Sequence, residues 1–515
     1  MTSKVFHALL GVTVLTATTL TFDVRAQVAE TLRFAEARNN PTFGDPGQWT
    51  ESPFSYWLWP IYDTLTQLKQ DGSIVPLLAT EWRATAPDTW VYKLRPNMKF
   101  HNGEPLTARA VVEFLTFITS TDDGKKSSVG QIVNGQARVA SSRAIDDLTV
   151  EIKTNGPNPI FERTASRFWV PEPKARAEMA KDAYNRNPVG TGPFKVVNWG
   201  PNGAEYEAIT GGPRTAKIRK LQGLAIPETA ARRSAVISDQ VDIAIGLGID
   251  DVPTVQGAGH VVYSAARPTI MTLKLFQTSR DNNPFADQRV RLAANMAIDR
   301  EAMAKHIMKG MAVAASQCAF PGVVGYNPNI KPYAFDPDRA KRLLAEAGYP
   351  NGFEATIEAV LPSTFAGNDD IYQMVAQQWN AVGIKTKLEG MTLPNWLKAW
   401  FPPGDATTLG FKGPFQNNCN LFNLDGLDTF DIQSCKKKPS YYCVKEEQDL
   451  IEQAEKELDG KKREALIQRL HALNTDNAAQ IFLIQMVDLV GLNKRVQGFA
   501  FDMMRPNYHE MTLAR

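Results

Sequence analysis

Two polar segments of the chain carry the residue types best suited to hold a small molecule. Arg38, Asn39 and Asn40 follow the alternating apolar run TLRFA that starts at Thr31, and they are candidates to line a crevice at the carboxyl end of that strand. In open α/β sheets, ligands sit beyond the carboxyl ends of strands. An ordinary polar loop is the alternative reading. Phe411, Lys412, Phe415 and Asn417, in the run GFKGPFQNNCN, place an ammonium and an amide among aromatic rings. A binding pocket needs that mixture of apolar wall and a few placed polar groups. Trp396 and Trp400 can add to the wall, with core packing as the competing role for at least one of them. Reaction chemistry, by contrast, leaves no trace. The chain contains no G-x-S-x-G, H-E-x-x-H or C-x-x-C, and none of its six His residues has another four positions away. Nucleophile elbows and zinc sites depend on those spacings. Gly190 and Gly192 form a G-x-G without the rest of a dinucleotide fingerprint, and no G-x-x-x-x-G-K-[ST] phosphate loop occurs. The expectation is a binding protein rather than an enzyme, with no cofactor and no metal.

The four cysteines, Cys318, Cys419, Cys435 and Cys443, allow three pairings. Cys435 and Cys443 flank KKKPSYY, short enough to close locally, so the preferred pairing joins them and leaves Cys318 to Cys419; the other pairings stay open. Oxidised cysteines suit an exported chain. Export is also read from the N-terminus, where Lys4 precedes an apolar run to about Leu20 and Val24-Arg25-Ala26 matches a cleavage site. The run is short for a membrane anchor. Cleavage would start the mature chain at Gln27, with no Cys nearby for lipid attachment. With 57 basic and 55 acidic residues the formal charge is +2, which points to no nucleic acid partner.

The elements that would position these groups are clearest between Ala79 and Phe114. Trp90, Tyr92 and Leu94 alternate with Val91, Lys93 and Arg95, the period of a half-buried strand. Pro96-Asn97 breaks it, His101-Asn102-Gly103 turns, and Thr107 can cap a helix with Val111, Phe114, Leu115 and Ile118 on one face. A hairpin is expected about Asp71-Gly72, a helix over Ser55 to Leu65, and a strand at LTVEIK from Leu148. Strands are expected at Phe194 to Trp199, Glu205 to Ile209, from Met271, and at Ile481 to Leu492. Glu354 to Leu361, Asp370 to Ala381 and Ile384 to Leu388 read as a right-handed β-α-β unit.

The Ala79 to Phe114 segment, the Asn187-Pro-Val-Gly-Thr-Gly-Pro-Phe194 loop and MTLKLF followed by QRVRLAANMAIDREAMAKHIMKG occur in the order typical of one family. Together they resemble the extracytoplasmic solute-binding proteins of family 5, the dipeptide-, oligopeptide- and nickel-binding receptors of ABC importers. The resemblance implies an α/β, periplasmic-binding-protein-like type II fold, with two mixed-sheet lobes joined by hinge crossings. It places lobe I at 27–60, 187–270 and 490–515, lobe II at 271–489, and an extra α+β domain at 61–186, after a signal peptide at 1–26. It also implies a periplasmic, monomeric receptor that closes on a small-molecule or peptide ligand and delivers it to permease subunits. A periplasmic hydrolase or folding factor on the same scaffold is the alternative. Peptide-binding relatives place an acidic residue in the second lobe against the peptide's amino group. This chain has Lys412 and two Asn there instead, which leaves open a ligand carboxylate meeting Lys412. The scarcity of His argues against nickel.

Overall fold

The computed structural model describes residues 31–38, 44–46, 55–277, 283–361, 363, 365–402, 408–430, 432–437 and 439–514. The expected signal segment, the expected mature start at Gln27, and Asn39 and Asn40 lie outside these residues.

Thr31–Glu36 is the first described strand. It lies between two parallel neighbours, Lys220–Ala225 and Ile243–Ile245. This is the centre of one half of an eleven-stranded mixed sheet, which continues outward through the antiparallel strands Gly203–Ala208 and Phe194–Gly200. The other half contains the parallel pair Phe353–Val360 and Ile384–Met391, with Phe415–Gln416 beside the former. The helix Asn368–Val382 connects that parallel pair and turns Ile371, Val375 and Trp379 fully inward, as the helical spacing requires.

Two long strands join the halves. Val261–Lys274 and Gln480–Leu492 pair antiparallel from Val261 opposite Leu492 to Lys274 opposite Gln480. The first begins ten residues before the expected Met271. Pro268 obscured that start, because a proline donates no ladder hydrogen bond, and the chain accommodates it in a register shift between Ala266 and Ile270. Gln480–Leu492 is buried at every position, which explains its mostly apolar sequence, and its polar exceptions Gln480, Gln485 and Asp488 are each hydrogen-bonded.

A separate four-stranded antiparallel sheet runs Ala79–Ala86, Thr89–Leu94, Thr149–Thr154, Val139–Asp146. Trp90, Tyr92 and Leu94 face inward as the alternation demands. Thr107 caps the helix Ala108–Ser120, its hydroxyl accepting from Ala110 N–H, and Val111, Phe114, Leu115 and Ile118 are buried beneath it. Val139–Asp146 was not expected, because most of its side chains are exposed and show no apolar alternation. The apolar cluster here is continuous with the first half of the sheet: Leu32, Phe34 and Trp57 belong to the same core as Tyr92 and Phe114.

The helix expected over Ser55 to Leu65 stops at Leu58. Pro60 cannot extend it, and the following backbone serves other partners. Pro60 and Ile61 accept from Phe194 and Gly192 N–H, while buried Arg214 donates to the Trp59 and Tyr62 carbonyls and to Asp63 Oδ1 at 2.7 Å. Gly190 and Gly192 lie against this stretch. A Cβ on Gly190 would stand 2.2 Å from Ile61 O, and one on Gly192 2.5 Å from Pro60 O. Close approach, rather than a left-handed backbone, requires glycine at both.

Candidate functional site

The backbone after Thr31–Glu36 is pinned before it reaches Arg38. Arg38 N–H donates to Glu36 Oε2 at 2.6 Å, and Trp57 Nε1–H donates to the Arg38 carbonyl at 3.0 Å. Burial pushes the Glu36 carboxyl up to about 7 against the lowering effect of the Arg38 and Ala37 backbone N–H groups. The exposed Arg38 guanidinium lines a cleft of about 430 Å³.

The opposite wall comes from the other half of the sheet. Val360 ends its strand at the cleft and is followed by Ser363 and Phe365; Leu393 and Trp396 supply one face of the helix Leu393–Trp400. Gln416, Asn417, Asn418 and Asn420 complete the lining. Most of these amides are already committed. Gln416 Oε1 accepts from Val360 N–H at 2.8 Å, Asn418 Oδ1 from Thr272 N–H at 3.3 Å, and Asn420 Oδ1 from the Thr269 hydroxyl at 3.3 Å. Asn417 is held by its carbonyl, which accepts from Thr272 Oγ1 at 2.6 Å, so its side-chain amide remains available. Trp396 Nε1–H donates to the Gln416 carbonyl at 2.8 Å, fixing the indole as a wall.

Of the candidate residues, the structure brings Arg38, Trp396 and Asn417 together at one cleft. It places Phe411, Lys412, Phe415 and Trp400 elsewhere, and Asn39 and Asn40 lie outside the described residues. Phe411 and Phe415 stack with ring centroids 4.2 Å apart, and Phe415 packs on Trp400 and Tyr441. All three candidate rings, Phe411, Phe415 and Trp400, are buried in this cluster rather than lining the cleft. Trp400 stacks on Trp396 at 5.7 Å, so the cluster supports the wall from behind. Lys412 points away: its ammonium donates to Glu389 Oε1 at 2.6 Å on the exposed surface. The pairing draws the Glu389 carboxyl below its ordinary range and raises the Lys412 ammonium.

Val360, Ser363 and Phe365 escaped the sequence reading as lining residues, although the rule that singled out Arg38 applies to them equally. They stand at or just beyond the carboxyl end of a parallel strand. Gln416, Asn418 and Asn420 gave no separable signal, since an Asn-rich turn looks the same whether it faces a crevice or solvent.

Behind the cleft, Arg267 Nη1–H donates to both Asp488 oxygens, at 2.7 and 2.8 Å, and its guanidinium lies over the Phe365 ring at 4.9 Å. Both cysteine pairs are at disulfide distance, with Cα separations of 5.6 Å for Cys318 and Cys419 and 4.5 Å for Cys435 and Cys443. Among the described residues, no group of three His, Cys, Asp or Glu side chains could hold a metal ion, and no helix is long and apolar enough to cross a membrane.

Residues 73–405 match the bacterial extracellular solute-binding proteins, family 5 Middle. The chain belongs to this family. It is 26% identical over 336 residues to the glutathione-binding protein GsiB of Pectobacterium atrosepticum, an alignment covering 64% of this chain and 63% of that relative's length. It is 22% identical over 480 residues to the dipeptide-binding protein of Escherichia coli, covering 88% of each. The fold is that of the periplasmic binding protein DppA of Helicobacter pylori, solved with a peptide (TM-score 0.75, 24% identity, 94% of this chain and 98% of that one). HbpA2 of Haemophilus parasuis is also similar, with TM-score 0.79, 23% identity, and 94% and 100% coverage. The α/β, two-halved architecture expected for family 5 is therefore the one observed.

Proposed function

We propose that the chain is the solute-capturing receptor of an ABC importer, working in the periplasm after loss of its N-terminal signal segment. The observation that carries this is the cleft itself. Arg38 reaches it from one half of the sheet, and Val360, Trp396 and Asn417 from the other, with the two long strands Val261–Lys274 and Gln480–Leu492 bridging the halves. On this reading the halves are the two lobes and the long strands contain the hinge. A ligand touching both walls favours the closed form, because only there are both sets of contacts made, and the closed form is what a permease would recognise. The relatives' names, glutathione-binding and dipeptide-binding, suggest small peptides or similar carboxylates as the ligand range.

Within the cleft, Arg38 takes the role of carboxylate partner that the sequence suggested for Lys412. A guanidinium presents paired N–H donors to a carboxylate, and Asn417 supplies one further amide. Small-angle scattering of the purified protein with and without its ligand, the latter identified by native mass spectrometry, tests the reading. Compaction on binding is expected. Superimposable profiles with every ligand that binds would refute the receptor mechanism.

A further inference from the structure

The helix Leu393–Trp400 carries an unusual face. Leu393, Leu397 and Phe401 recur every fourth residue and are 53%, 43% and 64% exposed, where a helix packed on a core would turn such a stripe inward. Eight residues of helical rise make the stripe about 12 Å long. Its first member, Leu393, is already part of the cleft wall beside Trp396 and Phe365. The stripe therefore continues the cleft outward as an apolar track.

The polar end of the same cleft has one sign of charge. Among the described residues, Arg38 is its only ionised lining residue, and no Asp or Glu lines it. Described carboxylates bonded close to the lining are occupied: Glu36 accepts from the Arg38 backbone, Asp369 Oδ1 from Ser363 N–H at 3.0 Å, and Asp488 from Arg267. A ligand ammonium entering here would lose its hydration with no counter-charge.

Resting on the receptor reading above, we infer that the ligand is an amphipathic carboxylate without a free α-ammonium, such as an N-acylated amino acid. Its carboxylate pairs with Arg38, its amide meets Asn417, and its apolar chain lies along Leu393, Leu397 and Phe401. The carboxylate at one end and the continuous apolar track at the other select this occupant over a short zwitterionic peptide, which would leave the stripe in water and its ammonium unpaired.

Titration calorimetry with N-octanoylglycine, its primary amide, N-acetylglycine and the dipeptide Gly-Leu tests this. N-octanoylglycine should bind at least tenfold more tightly than its amide, N-acetylglycine or Gly-Leu. The Leu397→Gln/Phe401→Ser variant, altered only at exposed positions, should weaken N-octanoylglycine at least fivefold and leave N-acetylglycine unchanged. Arg38→Gln should remove the preference for the acid over the amide. Equal or tighter binding of Gly-Leu, or an unaltered N-octanoylglycine affinity in the double variant, would overturn the inference. If Gly-Leu binds and compacts the protein, the receptor reading stands and this one falls.

Discussion

Arg267 holds both carboxylate oxygens of Asp488 across the two long strands, directly beneath the Phe365 ring that faces the cleft. The pair is nearly inaccessible to water, and Tyr56 adds a hydroxyl to Asp488 Oδ2 at 3.3 Å. Removing one partner leaves a buried charge uncompensated. Arg267→Met should therefore cost about 3–5 kcal/mol of stability, whereas Arg267→Met with Asp488→Leu should recover most of it. Urea unfolding of the three proteins measures the difference, and a double variant no better than the single one would contradict it.

His101 should make stability fall in mild acid. Its Nε2 lies 3.0 Å from Gly192 O, and its Nδ1 accepts from Gly190 N–H at 3.4 Å, an arrangement that needs the neutral ring. Burial holds its pKa down to about 4. Above about pH 6.5 the ring is neutral in folded and unfolded chains alike. Below that the unfolded chain takes up the proton first, so stability is lost as pH falls from 6.5 towards 4, by at most about 1.4 kcal/mol per pH unit. His471 and His509 are also buried and depressed, so the comparison must be with His101→Gln, whose curve should be flatter across this window.

Lys412→Ala should leave ligand affinity unchanged within twofold, while Arg38→Ala weakens it at least tenfold. Lys412 is committed to Glu389 on an exposed surface, where ion pairs contribute little. Calorimetry with the co-purified ligand decides this, and a large loss on removing Lys412 would return it to the site.

The contrast between Lys412 and Arg38 shows where sequence stops being informative. Strand and helix periods are local, so Tyr92, Thr107, the β-α-β unit and the first strand were legible, and the family landmarks supplied their arrangement. The direction of a loop side chain depends on neighbours far away in sequence. Glu389, which turns Lys412 outward, comes from another strand, and Tyr441, which helps bury Phe415, from within the loop that Cys435 and Cys443 flank. Pro60 marks the helix end that the expected helix over Ser55 to Leu65 ran past. Pro268 misled for the opposite reason: it breaks a local pattern, while the long strand pairing maintains the structure around it.

The two cysteine pairs should differ in their effect on stability. Cys435 and Cys443 are 8 residues apart, and Cys318 and Cys419 are 101 apart. By loop closure, removing the short link should cost about 2–3 kcal/mol and removing the long one about 4–5 kcal/mol. Serine double variants compared by chemical denaturation test the order, which equal losses would contradict.

Lys274 gives the sharpest pH signature. It is fully buried in the strand Val261–Lys274, its ammonium donating to Gln480 Oε1 and lying 3.5 Å from Cys419 Sγ, with no carboxylate partner among the described residues. Burial lowers its pKa from 10.5 to about 7. Between those values the unfolded chain holds the proton and the folded chain has released it, so stability rises with pH, by at most about 1.4 kcal/mol per unit. Lys274→Met removes both the titration and the donor to Gln480. The lost hydrogen bond lowers stability by a similar amount at every pH, but the slope disappears only if the lysine caused it. Denaturation at pH 7 and pH 9.5 should thus show wild type gaining several-fold more in folding equilibrium than Lys274→Met over the same interval. Parallel gains in the two proteins would mean that Lys274 stays protonated in the fold.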